Sequence, residues 1–357
     1  MADRTLTHSG SFVDSNSTGL THIGIDVHKN SFSVGILNSH GICDTAVRAA
    51  DPQGILRLIQ ELDEPLGAVT YETGPTGFGL ARALRAAGHT VVVAAASRIP
   101  RPAAPSSKTD RLDCRKLAHY TARGMLSSVA IPTEDQEAAR TLIRRRNQLV
   151  KSLRTCKQRI KSLLLQFSIP EPQGLEYWTK QSVAMLEHTA LPSAAMETLQ
   201  SHLRELAFLT SEKTRIMKCL REQMETDGQA QWDKVLQSVP GVGAVISAAF
   251  RLEIFTPERF RRAEEVTSYI GLAPAVSQSG EGKARVFLRP TGQKMLRTLL
   301  VEAAWTFKRN DPQAQALYNR LVARHGVKQK AIVAVARKLA VIMWRLSLEQ
   351  RPYERRQ

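Results

Sequence analysis

Cysteine is scarce in this 357-residue chain: Cys43, Cys114, Cys156 and Cys219 stand far apart and form no CxxC pair. The scarcity speaks against a disulfide framework and against a thiolate zinc site, and it suits a reducing cytoplasm. The nine histidines show no HExxH or other zinc spacing. No uncharged apolar run reaches the roughly 18–20 residues of a membrane span. The best stretch, Ala331 to Trp344, is interrupted by Arg337 and Lys338. The first 20 residues are polar and Ser/Thr-rich and lack the apolar core of a secretory signal, so we expect a disordered arm and no export. A phosphate-cradling GxxxxGK[ST] loop is also missing; Gly280–Glu281–Gly282–Lys283 only echoes it, which speaks against ATP-driven motor chemistry.

Acidic residues are in deficit as well. Fifty Lys and Arg against 33 Asp and Glu leave a net charge of +17, which points to a polyanionic partner. The excess is confined to two stretches. Residues 140–161 hold nine basic residues and no acid, and residues 281–357 hold 11 Arg and 6 Lys against five acids. Lys and Arg commonly fill the solvated positions of a coiled coil, but cations without interspersed anions repel one another unless a polyanion is present. A hydrophobic share of 43% allows sizeable cores, and the length allows about two domains.

Alternation begins at His22: Ile23, Ile25 and Val27 on one face, then Phe32, Val34 and Ile36 after a short break, which predicts a strand hairpin. A helix over about 53–62, a strand from Ala68 to Tyr71 ending at Glu72, a helix over about 79–87 and a third apolar run at 91–96 complete a mixed α/β sheet. Ser106 and Ser107 are candidate N-caps for a helix over about 109–123. Apolar residues at 142, 149, 153, 156, 160, 163 and 167, and a second series at 196, 199, 203, 206, 217, 220 and 224, follow a heptad register. Prolines between the two series can reverse the chain into an antiparallel hairpin, or the helices can form an oligomerisation stalk. Val239–Pro240–Gly241–Val242–Gly243 before an apolar helix has the form of a helix-hairpin-helix turn, where Gly241 and Gly243 would let backbone N–H groups approach a phosphate. An ordinary turn fits it equally. A Gly/Ser loop over 271–282 and basic helices follow, with Trp305 and Trp344 read as core.

Four carboxylates stand out by position. Asp26 lies on the first strand, Glu72 ends a later one, and Asp110 and Asp113 share one helix face. Two-metal phosphoryl transfer needs converging carboxylates of this kind, although spacing alone is explained more simply by a turn-adjacent polar Asp26 and by the preference of Asp110 and Asp113 for a helix N-terminus. Ser279, in Ser277–Gln278–Ser279–Gly280, is followed by Lys283, Arg285 and Arg289. A serine attacking phosphate needs such cations, yet no base is evident nearby.

Gly24–Ile25–Asp26–Val27–His28–Lys29, Tyr71–Glu72–Thr73–Gly74, Lys108–Thr109–Asp110–Arg111–Leu112–Asp113, Val239–Pro240–Gly241–Val242–Gly243 and Tyr269–Ile270–Gly271–Leu272–Ala273–Pro274 occur in this order. Together they resemble the DEDD transposases of the IS-one-ten/IS-eleven-eleven insertion sequences, bridge-RNA-guided serine recombinases, over about residues 20–345. The resemblance implies an α/β plus α architecture. A RuvC-like domain of the RNase H fold would span 21–132, a helical coiled-coil linker 133–230, a mainly helical transposase domain with the helix-hairpin-helix-like element 231–345, and a basic tail 346–357. It makes Asp26, Glu72, Asp110 and Asp113 the ligands of Mg²⁺ and Ser279 the nucleophile, with Ser277 a nearby alternative. The implied partners are donor and target DNA, an element-encoded guide RNA and further copies of the chain in a tetramer, all in a prokaryotic cytoplasm at the nucleoid. Arg144, Arg145, Arg146, Lys151, Arg154, Lys157 and Lys161, with Gly241, Gly243, Lys283, Arg285 and Arg289, are the candidate nucleic-acid contacts. A metal-dependent junction resolvase using water, or a non-catalytic nucleic-acid-binding oligomer, are the competing readings.

Overall fold

The computed structural model describes residues 19–100, 110–226, 229–277, 285–288 and 291–355. The chain divides into two compact units, Met1–Pro132 and Thr133–Gln357.

The first unit is a five-stranded mixed sheet with helices. Strands β1 (Thr21–Val27), β2 (Ser31–Leu37) and β3 (Cys43–Ala49) form an antiparallel meander, and β4 (Leu66–Glu72) and β5 (Val91–Ala94) add in parallel in the order β3-β2-β1-β4-β5. Helix α1 (Pro52–Gln60) starts with a Pro in its first turn and is capped by the Asp51 side chain, which accepts from the Gln53 N–H at 3.1 Å. With α2 (Gly79–Ala86) it covers one sheet face, burying Ile55, Leu58, Leu80 and Leu84 against Ile23, Ile25, Val69 and Tyr71. Helix α3 (Asp110–Ala122) lies against β1, β2 and β4 on the other face. Strand β3 is absent from the alternation pattern. Only Cys43 and Thr45 of its seven residues are buried, so it carries almost no period-2 signal.

The second unit is almost all helix. Helix α4 (Glu134–Gln166) opens on a reciprocal cap in which Thr133 Oγ1 accepts from the Gln136 N–H and Gln136 Oε1 from the Thr133 N–H. It runs against α6 (Ser193–Thr226), with the short α5 (Lys180–Glu187) between them. Ile143 of α4 shares a core with Leu220 and Met224 of α6, whereas Cys156 bonds to the His202 carbonyl, so the pair is antiparallel. The buried seam is Leu149, Leu153, Cys156, Ile160 and Leu164 against Leu199, Leu203, Leu206, Leu209 and Ile216. It departs from the heptad expectation at its end. Leu164 is fully buried, whereas Leu163 is only partly buried and Phe167 is 37% exposed, because an α-helix of 3.6 residues per turn drifts off a 3.5-residue repeat.

Helices α7 (Ala230–Gln237), α8 (Ala244–Ile254), α9 (Ala263–Ile270), α10 (Lys294–Asn310), α11 (Pro312–His325) and α12 (Lys328–Glu349) share one core, which also takes in Ala139 and Ile143 of α4 and Leu220 and Met224 of α6. The loop expected over 271–282 is partly strand: β6 (Pro274–Ser277) pairs antiparallel with β7 (Arg285–Leu288). Trp344 is buried and donates to the Pro257 carbonyl at 2.9 Å. Trp305, expected in the core, is 40% exposed, because Leu300, Ala303, Ala304 and Phe307 take the inward face of α10.

Candidate active site

Parallel pairing sets the first two carboxylates side by side. Gly24 pairs with Thr70 and Ile25 with Tyr71, so Asp26 and Glu72 follow in register at adjoining strand ends. Ile23, Ile25, Val69 and Tyr71 fill the core beneath α1 and α2, and side chains alternate along a strand, which turns Asp26 and Glu72 to the opposite face. That face belongs to α3. Thr121 on α3 donates to Thr70 Oγ1 at 2.7 Å, and a Cβ placed on Gly24 would lie 2.2 Å from the Cys114 carbonyl oxygen. A Cβ on Gly35, paired with Gly24 across β1 and β2, would lie 2.9 Å from the same Cys114 carbonyl. Two side-chain-free positions thus form a seat that lets the helix backbone touch the sheet.

Asp113 is the residue before Cys114, and so sits beside this seat. Asp110 opens the same helix, but its side chain lies outside the described residues. Asp26 and Asp113 are partly exposed and Glu72 is exposed, so a phosphate could reach them. His28 Nε2 stands 3.2 Å from Asp26 Oδ2, and Lys116 Nζ 3.5 Å from Asp113 Oδ1. Spacing alone singles out neither neighbour as part of a site; His28 lies just past the end of β1, two residues beyond Asp26.

The donors are all carboxylate oxygens, the chemistry of a hard divalent cation. The thiol beside them, Cys114, is fully buried and is pushed up to about 11 by burial and then by Cys43 and Asp26. Among the described residues no three of these carboxylates lie within mutual ligand distance. Like charges repel until a cation lies between them, so the donor set fits a metal that draws it closed.

The basic stretch of α4 is not one uniform face. Arg145, Lys151 and Arg154 are exposed. Arg140 and Arg144 instead grip Glu253 of α8, with Arg140 Nη2 2.8 Å from Oε2 and Arg144 Nε 3.0 Å from Oε1. Burial alone raises the Glu253 carboxyl, but the Arg144 hydrogen bond and the two guanidinium charges overcome this and hold it below the ordinary value. Lys157 lies 4.9 Å over the Trp178 ring, Lys161 pairs with Glu171 at 2.5 Å, and the half-buried Arg146 is pulled down by desolvation. Gly241, with φ +87°, packs on α10 so closely that a Cβ would lie 2.7 Å from the Ala303 carbonyl oxygen. Gly243 precedes α8 with open space around it, beside a cavity of about 680 Å³ that Thr306, Asn310 and Arg355 help to line. Ser279, Lys283 and Arg289 lie outside the described residues, as do Ser106, Ser107 and residues 1–18; Arg285 is on β7, its side chain not described.

Residues 23–169 match the family model of DEDD transposases of the IS110 type, and residues 233–319 match that of the Transposase IS116/IS110/IS902 family. The chain belongs to the IS110/IS1111 family of insertion-sequence transposases. It is 29% identical to the putative transposase y4qE of Sinorhizobium fredii, over 92% of this chain and 89% of the relative. It is 27% identical to the transposase for insertion sequence element IS1328 of Yersinia enterocolitica, over 91% and 96%. A third relative, the pilin gene-inverting protein of Moraxella bovis, is 24% identical over 94% and 98%. For this family member the DEDD domain implies use of a divalent metal, and the transposase family implies DNA as substrate. Among the described residues no helix is long and apolar enough to cross a membrane.

Proposed function

We propose that the chain is an RNA-guided DNA recombinase in which Asp26, Glu72, Asp110 and Asp113 hold Mg²⁺ and Ser279 is the nucleophile. The observation that carries this reading is the register of β1 and β4, which aligns Asp26 and Glu72 on the sheet face against which α3 brings Asp113. Bound Mg²⁺ supplies charge neutralisation at the scissile phosphate's oxygens. The strands and α3 fix the carboxylates on rigid elements, so the phosphate is oriented before strand transfer. The Ser279 hydroxyl displaces a deoxyribose oxygen and leaves a phosphoserine link. A second transfer to the recombining strand releases it.

The exposed Arg145, Lys151 and Arg154 hold nucleic-acid backbone, and the α7–α8 turn at Gly243 offers helix N-terminal N–H groups to another phosphate. Sequence choice falls to a guide RNA, because contacts of this kind position a strand without reading its bases. Four chains assemble so that the RuvC-like unit of one works with the serine of another, α4 and α6 acting as coiled coil. The name of the Moraxella relative, a gene-inverting protein, favours recombination over simple cleavage.

The test mixes the protein with Mg²⁺, RNA transcribed from its flanking DNA and labelled duplexes spanning the element's junctions. A protease-sensitive protein–DNA adduct that needs the RNA and disappears in Ser279→Ala and Asp26→Asn is the expected result. Cleavage without an adduct would replace the serine by water, as in a resolvase. Binding with neither would leave a non-catalytic nucleic-acid-binding protein.

A further inference from the structure

The α4–α6 pair carries a group of metal-ligating side chains that the carboxylate site does not use. Cys156 Sγ on α4, a ring nitrogen of His202 and a carboxylate oxygen of Glu205, one turn apart on α6, all lie within 4.8 Å of one another. His202 Nδ1 stands 3.6 Å from Glu205 Oε2, and Cys156 Sγ is 3.4 Å from the His202 carbonyl oxygen, to which it donates. Around a tetrahedral zinc, bonds of about 2.0–2.3 Å put ligand atoms roughly 3.3–3.7 Å apart. The group can therefore close on an ion by side-chain adjustment of about 1 Å, without backbone movement.

One thiolate, one imidazole and one carboxylate form a mixed S/N/O set, which suits a borderline cation such as Zn²⁺ and not Mg²⁺. Cys156 is fully buried in the seam, whereas the side chains of His202 and Glu205 are 23% and 40% exposed. The ion would be sealed on the helix side and open on the other, with room for a water. Beside it lies a cavity of about 550 Å³, lined by Arg154, Gln158, Arg159, Ser162 and His202 among others.

We propose that Cys156, His202 and Glu205 form a zinc site, with water as the fourth ligand, that clips α4 to α6 at mid-seam. Arg159, 3.8 Å from Glu205 and 57% exposed, swings into solvent as the ion takes its place. Binding exchanges the thiol proton for a sulfur–zinc bond and releases that proton to solvent.

The experiment titrates the full-length protein with Co²⁺ alone and then competes with Zn²⁺. One equivalent of Co²⁺ should give a thiolate-to-cobalt charge-transfer absorption that zinc abolishes and that is absent in Cys156→Ser. The His202→Gln and Glu205→Gln variants, at partly exposed positions, should keep their helical circular dichroism and should each weaken binding by more than about tenfold. Asp26→Asn should retain the band, which separates this site from the carboxylate centre. The proposal falls if no charge-transfer band develops, if the band survives in Cys156→Ser, or if His202→Gln and Glu205→Gln both bind as tightly as the native protein.

Discussion

Replacing Gly24 by Ala strikes the seat on which α3 rests. The new Cβ would stand 2.2 Å from the Cys114 carbonyl oxygen, 2.4 Å from the Ala118 nitrogen and 2.8 Å from the Leu117 Cβ. Two of these are backbone atoms of one helix, so no rotamer change relieves the clash, and α3 must retreat by about 1 Å to reach ordinary contact. Overpacking of this kind costs about 1–3 kcal/mol. Stretching the 2.7 Å bond from Thr121 to Thr70 adds about 1 kcal/mol, for a loss near 3 kcal/mol. Asp113 moves with the helix, and misplacing a reacting arrangement by about 1 Å lowers a rate about 100-fold. The assay pairs urea unfolding followed by circular dichroism with the rate of metal-dependent strand cleavage. Gly54→Ala is the control, because nothing lies within 4 Å of its would-be Cβ in α1. There helix propensity predicts a gain of about 0.5–1 kcal/mol. A Gly24→Ala protein as stable and as active as the native one would refute the seat.

Glu253→Gln should destabilise the helical unit by about 3 kcal/mol in urea unfolding, because it leaves the Arg140 and Arg144 charges without their buried partner. The Glu253 carboxyl is held below its ordinary value in the folded chain, so its contribution is present above about pH 4.5 and is lost as pH falls through the folded value. Native protein should therefore lose stability on acidification below that point more steeply than the Gln variant, a difference read from unfolding midpoints between about pH 3 and 6. On α4, Lys151→Gln combined with Arg154→Gln should reduce the slope of log affinity against log salt by nearly 2 for duplex DNA, at about 0.9 per phosphate contact. An unchanged slope would remove both residues from the footprint.

Some of this fold is legible in a one-dimensional pattern because the pattern is local. Alternation of Ile23, Ile25 and Val27 and of Phe32, Val34 and Ile36 marks β1 and β2, and the glycine and proline breaks mark the ends of α2, β4 and α11. Strand β3 escapes because its buried positions are Cys43 and Thr45 while its Val47 is exposed, which leaves no apolar alternation, and β6 and β7 escape because four residues carry too little periodicity. A strict heptad count selects Leu163 and Phe167 and misses the seam residue Leu164, because the helix itself does not keep a 3.5-residue repeat. Arg144 resembles its exposed neighbours in sequence, and only Glu253, far along the chain, distinguishes it.

Residue types and their order set which chemistry is available: an excess of cations in two stretches, four carboxylates in family order, and no cysteine pair. Which of those groups meet follows from how strands and helices pair. Asp26 and Glu72 stand at adjoining strand ends because a parallel pairing joins strands separated by two others and a helix, and α3, which carries Asp113, packs on the same sheet face because two glycines leave it bare. Cys156 meets His202 and Glu205 because two long helices run antiparallel. Residue type sets the affinity of each group for protons, metals and phosphates, but Coulomb and coordination forces act over a few ångströms in space, and those distances exist only once the chain has folded.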